Sequence, residues 1–393
     1  MAKLSYTAAL KILEGRTNFE KEMPANKTAF KHAVMQKFMQ LNPQVNNLKI
    51  IHIAGTKGKG STAAMTHAII RQNGYSCGLF TSPHLIHWQE RIRINDSNIS
   101  NEAFCCHMDY LTKIKFLDQP TYFEYLTMLA LLEFNAQKMD FVILETGLGG
   151  RLDTTNIIKP TICAITRISK DHCSILGNTI SKIAKEKAGI IKLNTPIVTG
   201  EQHWRVKNII KEVALQNNAQ LFTAAAYNWA PLVGQHQRQN FGISVCIINI
   251  LKQMGFNLSQ PKQPLRVNWQ GRFQYIKKNP IIIIDGSHNP DSTKVLIKTW
   301  NTEIGNKFDL YFGSTNDKDW QSSLKILKPY INQAYFVSIN SKRSVLPNKL
   351  MQFANQLGIK SQIGVVDDIK YTKNSTLCCG SLYLVGKILS LNF

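Results

Sequence analysis

Residues 48–62 read LKIIHIAGTKGKGST, an aliphatic run that ends at Ala54 and passes directly into Gly55-Thr56-Lys57-Gly58-Lys59-Gly60-Ser61-Thr62. The run over 48–53 reads as a buried strand, and the residues over 59–73 carry helical spacing. A glycine-rich turn between a strand and a helix lets backbone N–H groups converge on an anion. The helix N-terminus adds its partial positive charge, and a lysine can reach the outer phosphates. Lys59 is placed for that role. The general phosphate-loop spelling has Ser or Thr directly after the lysine, whereas here Gly60 intervenes and Ser61 supplies the hydroxyl.

Working outward, the pattern repeats. Residues 77–80, 141–144 and 162–165 are short apolar runs that read as strands, and residues 123–134 and 180–190 have helical periodicity. Alternation of this kind predicts an α/β fold, a mostly parallel sheet flanked by helices. A second series starts late, with strands expected at 281–284 and 310–312, helices at 291–300 and around 324–327, and a last strand at 382–385. Between the two series lies Ser259-Gln260-Pro261-Lys262-Gln263-Pro264, whose composition suits a linker. The expectation is a P-loop ATPase-type domain over 1–264 and a smaller Rossmann-like α/β domain over 265–393.

The length of 393 residues suits two domains at roughly 100–200 residues each. With 44% hydrophobic and 18% charged residues the chain is globular, which excludes disorder as its main state. Lys and Arg number 47 against 25 acidic residues, a formal charge of +22 that points to an anionic partner. The cations are scattered, with no arginine-glycine tract and no Cys/His finger spacing, so nucleic acid is left without a motif. The eight cysteines include two adjacent doublets and no CxxC, and read as reduced, mostly buried thiols. No cleavable leader and no run of eighteen apolar residues is found, so a soluble, cytoplasmic protein is expected.

Two further residues stand where open α/β sheets place ligands. Glu145 closes the strand over 141–144 and precedes Thr146-Gly147-Leu148-Gly149-Gly150-Arg151-Leu152-Asp153, and His172 follows the strand at 162–165. Either could hold magnesium. Each also has an ordinary structural reading, as a strand-ending acid beside a glycine turn and as a structural histidine.

Taken together the motifs resemble one family, the folylpolyglutamate synthases and bifunctional dihydrofolate synthase/folylpolyglutamate synthases of the Mur ligase superfamily. The resemblance is carried by AGTKGKGST (54–62), TSPHL (81–85), ERIRIN (90–95), TYFEYLT (121–127), LETGLGGRLDTTN (144–156), ISKDHCSILG (168–177) and IAKEKAGIIK (183–192). GRFQ (271–274), DGSHNP (285–290), FGSTNDKD (312–319) and GSLYLVG (380–386) continue it in the second half.

It implies an ATP-dependent amide ligase that adds L-glutamate to folates and to dihydropteroate through an acyl phosphate. Gly58, Lys59, Gly60, Ser61, Asn240, Arg272 and Asp285 would contact ATP. One magnesium ion would lie on Ser61 and Ser82, and a second on Glu145 and His172. Lys187 matches a lysine that the family carbamylates; read alone, it is an ordinary solvated helix lysine. His288 and Ser381 would serve glutamate or the second half-reaction, and Arg272 would neutralise the transferring phosphoryl group. The pterin-bearing substrate would lie along Thr121, Tyr122, Phe123 and Glu124, with Leu152, Asp153 and Thr154 opposite.

The chain departs from the family pattern at Gln270, at Ser287, at Asp96-Ser97 and around Asn18 to Lys27. A monomer with no nucleic-acid or membrane partner is expected. Two other readings remain at this point: a Mur-type ligase for a different carboxylate, such as a peptidoglycan precursor, and a nucleic-acid-stimulated P-loop ATPase. A GTPase is disfavoured, because Asn316-Asp317-Lys318-Asp319 does not place Lys after Asn.

Overall fold

The computed structural model describes residues 4–20, 22, 32–339 and 341–391, so most of the segment around Asn18 to Lys27 lies outside the described residues. The chain divides into two compact units. One holds the described residues up to His84, Trp88–Pro231 and Gln237–Val267; the other holds Leu85–His87, Leu232–His236 and the residues from Asn268 onward.

In the first unit the strands are β1 (Ile50–Ala54), β2 (Cys77–Phe80), β3 (Ile92–Ile94), β4 (Ser97–Asn98), β5 (Phe141–Glu145), β6 (Ile162–Ile165), β7 (Ile197–Thr199) and β8 (Leu221–Thr223). They form one sheet in the order β4-β3-β2-β5-β1-β6-β7-β8. The pairings are parallel except at β2/β3 and β3/β4. Every residue of β1, β2, β5 and β6 is buried, so the side-chain alternation of a one-faced strand is missing and both faces are covered. The helices are α1 (Tyr6–Glu14), α2 (Ala33–Leu41), α3 (Lys59–Gln72), α4 (Asn101–Lys113), α5 (Tyr122–Ala136), α6 (Cys173–Leu176), α7 (Ile180–Ala188), α8 (Trp204–Gln216) and α9 (Gln235–Gln253). One core gathers Leu13, Phe38, Phe104, Leu126, Phe134 and Val142, and another gathers Ala54, Cys163, Ile165, Ile183, Ile197 and Val206. β1 sits where the strand order changes side, with β5 and β2 on one flank and β6 to β8 on the other. That is where open α/β sheets bind ligands.

The second unit holds β9 (Gln274–Lys278), β10 (Ile281–Ile284), β11 (Phe308–Phe312), β12 (Ile331–Phe336), β13 (Ser361–Ile363) and β14 (Thr376–Cys379), ordered β13-β12-β11-β14-β10-β9. Only β9 runs antiparallel to its neighbour. Its helices are α10 (Pro290–Glu303), α11 (Trp320–Leu327), α12 (Pro347–Gln356) and α13 (Leu382–Leu389). Successive residues enter opposite cores: Ile283, Leu310 and Leu377 pack on one face, Ile282, Tyr311 and Cys378 on the other. The period-two geometry of a strand requires this when both faces are covered.

One expected element differs. Residues 382–385 are not a strand but the start of α13, and the preceding Thr376–Cys379 is the strand. Ser381 caps the helix, its Oγ accepting the Tyr383 N–H at 3.1 Å. Gly386 lets α13 lie on the backbone of Leu85, where a Cβ would fall 2.1 Å from the carbonyl oxygen. A four-residue apolar run fits a strand or one helical turn equally well, and the cap decides.

The stretch 259–264 is tied to the end of α3. Ser259 N–H donates to Asn73 Oδ1 (2.7 Å) and Lys262 N–H to Gln72 Oε1 (2.9 Å). All eight cysteines are free, five of them buried, as reduced thiols require. No helix among the described residues is long and apolar enough to cross a membrane.

Candidate active site

The turn after β1 is shaped by two glycines in conformations closed to other residues. Gly55 has φ 149°, and a Cβ there would lie 1.8 Å from Thr166 Oγ1; Gly58 has φ 90°, and a Cβ would lie 2.3 Å from Asn240 Oδ1. Gly58 is the N-cap of α3 and provides no side-chain hydrogen bond, so the first N–H groups of the helix have no cap of their own. The turn is braced by the loop after β6. Thr56 and Lys57 N–H both donate to the Arg167 carbonyl (3.0 and 3.1 Å), Thr56 Oγ1 donates to the Ser169 carbonyl (3.1 Å), and Lys57 Nζ pairs with Asp171 (3.2 Å). His172 follows in a left-handed conformation, φ 48°, with its Nε2 3.9 Å from Asp171.

Lys59 Nζ lies 3.7 Å from Glu145 Oε1, and the Ser82 N–H donates to Glu145 Oε2 at 3.3 Å. The end of β5, the segment after β2 and the start of α3 therefore meet at one carboxylate. Ser61 is buried and accepts a 3.5 Å hydrogen bond from Gln237 Nε2; Gln237 Oε1 in turn accepts from Asn240 Nδ2 at 2.9 Å. α9 thus holds Asn240 against Gly58. Among the described residues no group of three or more His, Cys, Asp or Glu side chains could by itself hold a metal ion.

Lys187 departs furthest from its sequence reading. It is 4% exposed rather than solvated, and its Nζ donates to the Gly55 carbonyl at 2.8 Å. Burial, with the nearby positive charge of Lys59 adding to it, pushes the ammonium down to about 7.

The loop after β5 closes on itself through Asp153. One carboxylate oxygen accepts the Leu148 N–H (2.7 Å); the other accepts the Thr155 N–H (3.0 Å) and hydroxyl (2.6 Å). Burial raises the pKa of Asp153 from its ordinary value. Arg151 bonds to Glu186 of α7 (3.1 Å), while Leu152 and Thr154 are half-buried. Facing residues come from the start of α5. Thr121 and Glu124 form a capping box, so Glu124 accepts both the Thr121 N–H (2.7 Å) and hydroxyl (2.8 Å). Tyr122 is buried beneath the Arg91 guanidinium, 5.6 Å from its ring. Phe123 is half-buried and packs against Gly147, where a Cβ would lie 2.7 Å from its ring. This contact joins the two segments expected to flank the substrate.

Sequence reasoning missed the support beneath Tyr122. Arg91 is 1% exposed; its guanidinium takes both carboxylate oxygens of Glu20, and its Nε donates to His84 Nδ1 at 2.8 Å. Arg91 lies within the ERIRIN motif, but its acid partner is 71 positions away in the sequence.

In the second unit Asp285, at the end of β10, accepts the N–H groups of Phe273 and Ser287, both at 2.8 Å. It thereby clamps the turn that carries Arg272 to the start of the next loop. Arg272 Nη1 donates to the Gly271 carbonyl (2.9 Å), and His288 Nδ1 lies 2.8 Å from the Gly286 carbonyl. Gly380 N–H donates to the Ser287 carbonyl (2.8 Å), which places Ser381 beside the same turn. Asn289 and Ser292 cap α10 reciprocally, with Pro290 in its first turn.

These two arrangements match known protein families. Residues 53–247 match the Mur ligase middle domain, and residues 271–374 match the Mur ligase glutamate ligase domain. The chain is 32% identical to a dihydrofolate synthase/folylpolyglutamate synthase of Bacillus subtilis, over 90% of this chain and 92% of that one. It superposes on the folylpolyglutamate synthase of Thermotoga maritima with a TM-score of 0.82 at 26% identity, covering 98% of this chain and 96% of that one. An FPGS–AMPPCP–folate complex gives 0.80 at 25% identity, covering 98% of each chain. The chain belongs to the dihydrofolate synthase/folylpolyglutamate synthase family of Mur ligases.

Proposed function

We propose that this protein joins L-glutamate to the carboxylate of a folate, and to that of dihydropteroate, at the expense of ATP. The observation that carries the reading is the meeting of Lys59, Glu145 and Ser82 at the uncapped start of α3, with the buried Lys187 fixed to the same turn. The relatives of that sequence and fold carry the name of this activity, and one of the solved structures is a complex with an ATP analogue and folate.

In the first step the substrate carboxylate attacks the γ-phosphorus and ADP leaves, giving an acyl phosphate. In the second, the α-amine of glutamate attacks the acyl carbon, and phosphate leaves from the tetrahedral intermediate. Phosphoryl transfer depends mainly on position and charge compensation. In this reading the N–H groups of Gly58, Lys59, Gly60 and Ser61 receive the phosphates, and Lys59 follows the charge as it builds. Asn240 holds the turn, and Arg272, fixed by the Asp285 clamp, serves as a further positive charge for ATP. His288 and Ser381 serve the glutamate half-reaction. Phe123, with Leu152, Asp153 and Thr154, lines the pteroyl side, and Thr121, Tyr122 and Glu124 hold the helix start that presents it.

The oxygen donors Ser61, Ser82 and Glu145 suit magnesium, which keeps much of its shell as water and phosphate. With His172 they would hold two such ions, which would neutralise phosphate charge. Lys187, with its ammonium lowered to about 7, has a neutral amine available at working pH. Its attack on carbon dioxide forms an N–C bond and releases one proton, leaving an anionic carbamate beside the cations of the phosphate loop. The enzyme would work as a cytoplasmic monomer without nucleic acid or membrane.

The test is a substrate panel of dihydropteroate, tetrahydrofolate and its diglutamate, each with ATP, magnesium and glutamate. ADP release that requires both a pteroyl substrate and glutamate is expected. Turnover only with a UDP-linked sugar acid, or ATP hydrolysis driven by RNA or DNA and indifferent to folate, would end the proposal. For Lys187→Ala, activity is expected to fall and to be partly restored by a small carboxylate; unchanged activity removes the carbamate.

A further inference from the structure

His52 is the one ring among the aliphatic side chains of β1. It is fully buried, paired in the ladder with Leu144 of β5 and Cys163 of β6. Burial, with the charge of Lys192 adding to it, drives the imidazole from its ordinary 6.5 to about 3, so it is neutral around pH 7. Its Nε2 lies 2.8 Å from Thr155 Oγ1, and Thr155 is also fully buried. That hydroxyl stands 2.6 Å from Asp153 Oδ1, and the other Asp153 oxygen accepts the Leu148 N–H at 2.7 Å.

The directions of these bonds follow from counting protons. Both Asp153 oxygens accept backbone N–H groups, from Leu148 and Thr155, which favours the ionised form against the effect of burial. A carboxylate only accepts, so the single hydroxyl proton of Thr155 goes to Asp153. The oxygen then offers a lone pair to His52, and Nε2 must carry the imidazole hydrogen. Nδ1 is left as a buried acceptor with no hydrogen-bond partner among the described residues. A buried unsatisfied polar atom costs about 1–3 kcal/mol, a cost that Leu or Met at this place would not carry. Packing alone therefore does not account for a histidine here. What the histidine adds is a donor aimed at one hydroxyl.

We propose that His52 is a positioning residue for the loop over residues 147–155. By donating from Nε2 it holds the Thr155 hydroxyl turned toward Asp153, and Asp153 in turn ties back Leu148 and fixes the path of the loop beside Phe123. β1 delivers the phosphate loop two residues later, at Ala54-Gly55, so one strand supports both the nucleotide side and the pteroyl side of the site. The proposal rests on the reading of Leu152, Asp153 and Thr154 as substrate residues given above.

Its first test does not depend on turnover. In ¹⁵N-histidine spectra of the full chain, assigned by the signal lost in His52→Gln, His52 is expected to show an Nε2–H and a bare Nδ1, unchanged across the neutral pH range. An Nδ1–H tautomer, or a ring that titrates near neutrality, overturns the proposal, because the relay would then run the other way or not exist.

The second test is kinetic. His52→Leu keeps the volume and removes the donor, and is expected to raise KM for the pteroyl substrate roughly tenfold while KM for ATP moves less than about twofold. His52→Gln, whose amide can reach the same hydroxyl, is expected to recover most of that loss. Equal damage to both KM values, or a Gln variant as impaired as the Leu one, also overturns it. Should the Leu variant not fold, the tautomer of the unaltered protein still decides. If the unaltered enzyme turned over no pteroyl substrate, the proposed function would fall while the spectrum still reported on His52.

Discussion

Both units lead an apolar strand into a helix through a glycine-containing turn, yet the two turns are finished differently. After β1, Gly58 caps α3 with no side chain, and the first helical N–H groups are left to whatever the turn encloses. After β10, Asn289 and Ser292 cap α10 from both directions, Pro290 occupies the first turn, and both oxygens of Asp285 are engaged by backbone N–H groups. An uncapped helix start attracts an anion, and a capped one has little left to offer it. In the proposed reading, the same α/β plan gives one unit suited to receive phosphate and another that presents side chains from a fixed frame. Which is which follows from the cap.

The sharpest way to break this comparison is Lys59→Ala. Loss of a cation at the transferring phosphoryl group is expected to lower kcat by roughly a thousandfold with the fold intact by circular dichroism; a change of only a few-fold would move the phosphate site elsewhere. Next comes Gly58→Ala, which puts a Cβ into a left-handed position against Asn240. About 1–3 kcal/mol of stability and at least roughly a tenfold rise in KM for ATP are expected, measured by thermal melting and initial rates. Normal ATP kinetics in that variant would separate the turn from the nucleotide.

Acid should distinguish the units next. β1 and α3 carry His52 and His67, lowered chiefly by burial to about 3 and about 4, whereas β10 and α10 carry no histidine. The unfolded chain binds protons near 6.5 that the folded one refuses, so stability rises with pH between the two values and is lost as pH falls below 6.5. Each histidine should account for about 3 kcal/mol by around pH 4.5. Hydrogen exchange should therefore accelerate first at β1 and α3; simultaneous acceleration at β10 would contradict this. The smallest effect belongs to Asn289→Ala, which removes the cap of α10 and should cost about 1 kcal/mol in the melt while KM for ATP holds.

Much of the fold could be read locally because the decisive signals were local. The strands at 77–80, 162–165 and 281–284 are unbroken apolar runs, and the phosphate turn is a contiguous spelling beside β1. The start of α13 reads as a strand because Leu382-Tyr383-Leu384-Val385 is too short to show a period, although Ser381 stands at its head as a cap. What could not be read is what depends on distant partners. Lys187 looks like any helix lysine until the Gly55 carbonyl, 132 positions away, is brought to its amine. Arg91, buried just before β3, finds its half-buried acid partner Glu20 only once that segment and the N-terminal segment meet. His52 did carry a signal, a ring in the centre of an aliphatic strand, but its meaning required Thr155.

The bare start of α3 also makes stability a reporter of occupancy. A ligand that binds the folded state alone stabilises it by RT ln(1 + [L]/Kd), about 2.7 kcal/mol at a hundredfold excess over Kd. Nucleotide should therefore raise the melting temperature through contacts in the first unit, and pyrophosphate alone should do so in part. A melting curve recorded against added phosphates would then rank anions for this turn before any glutamate is transferred.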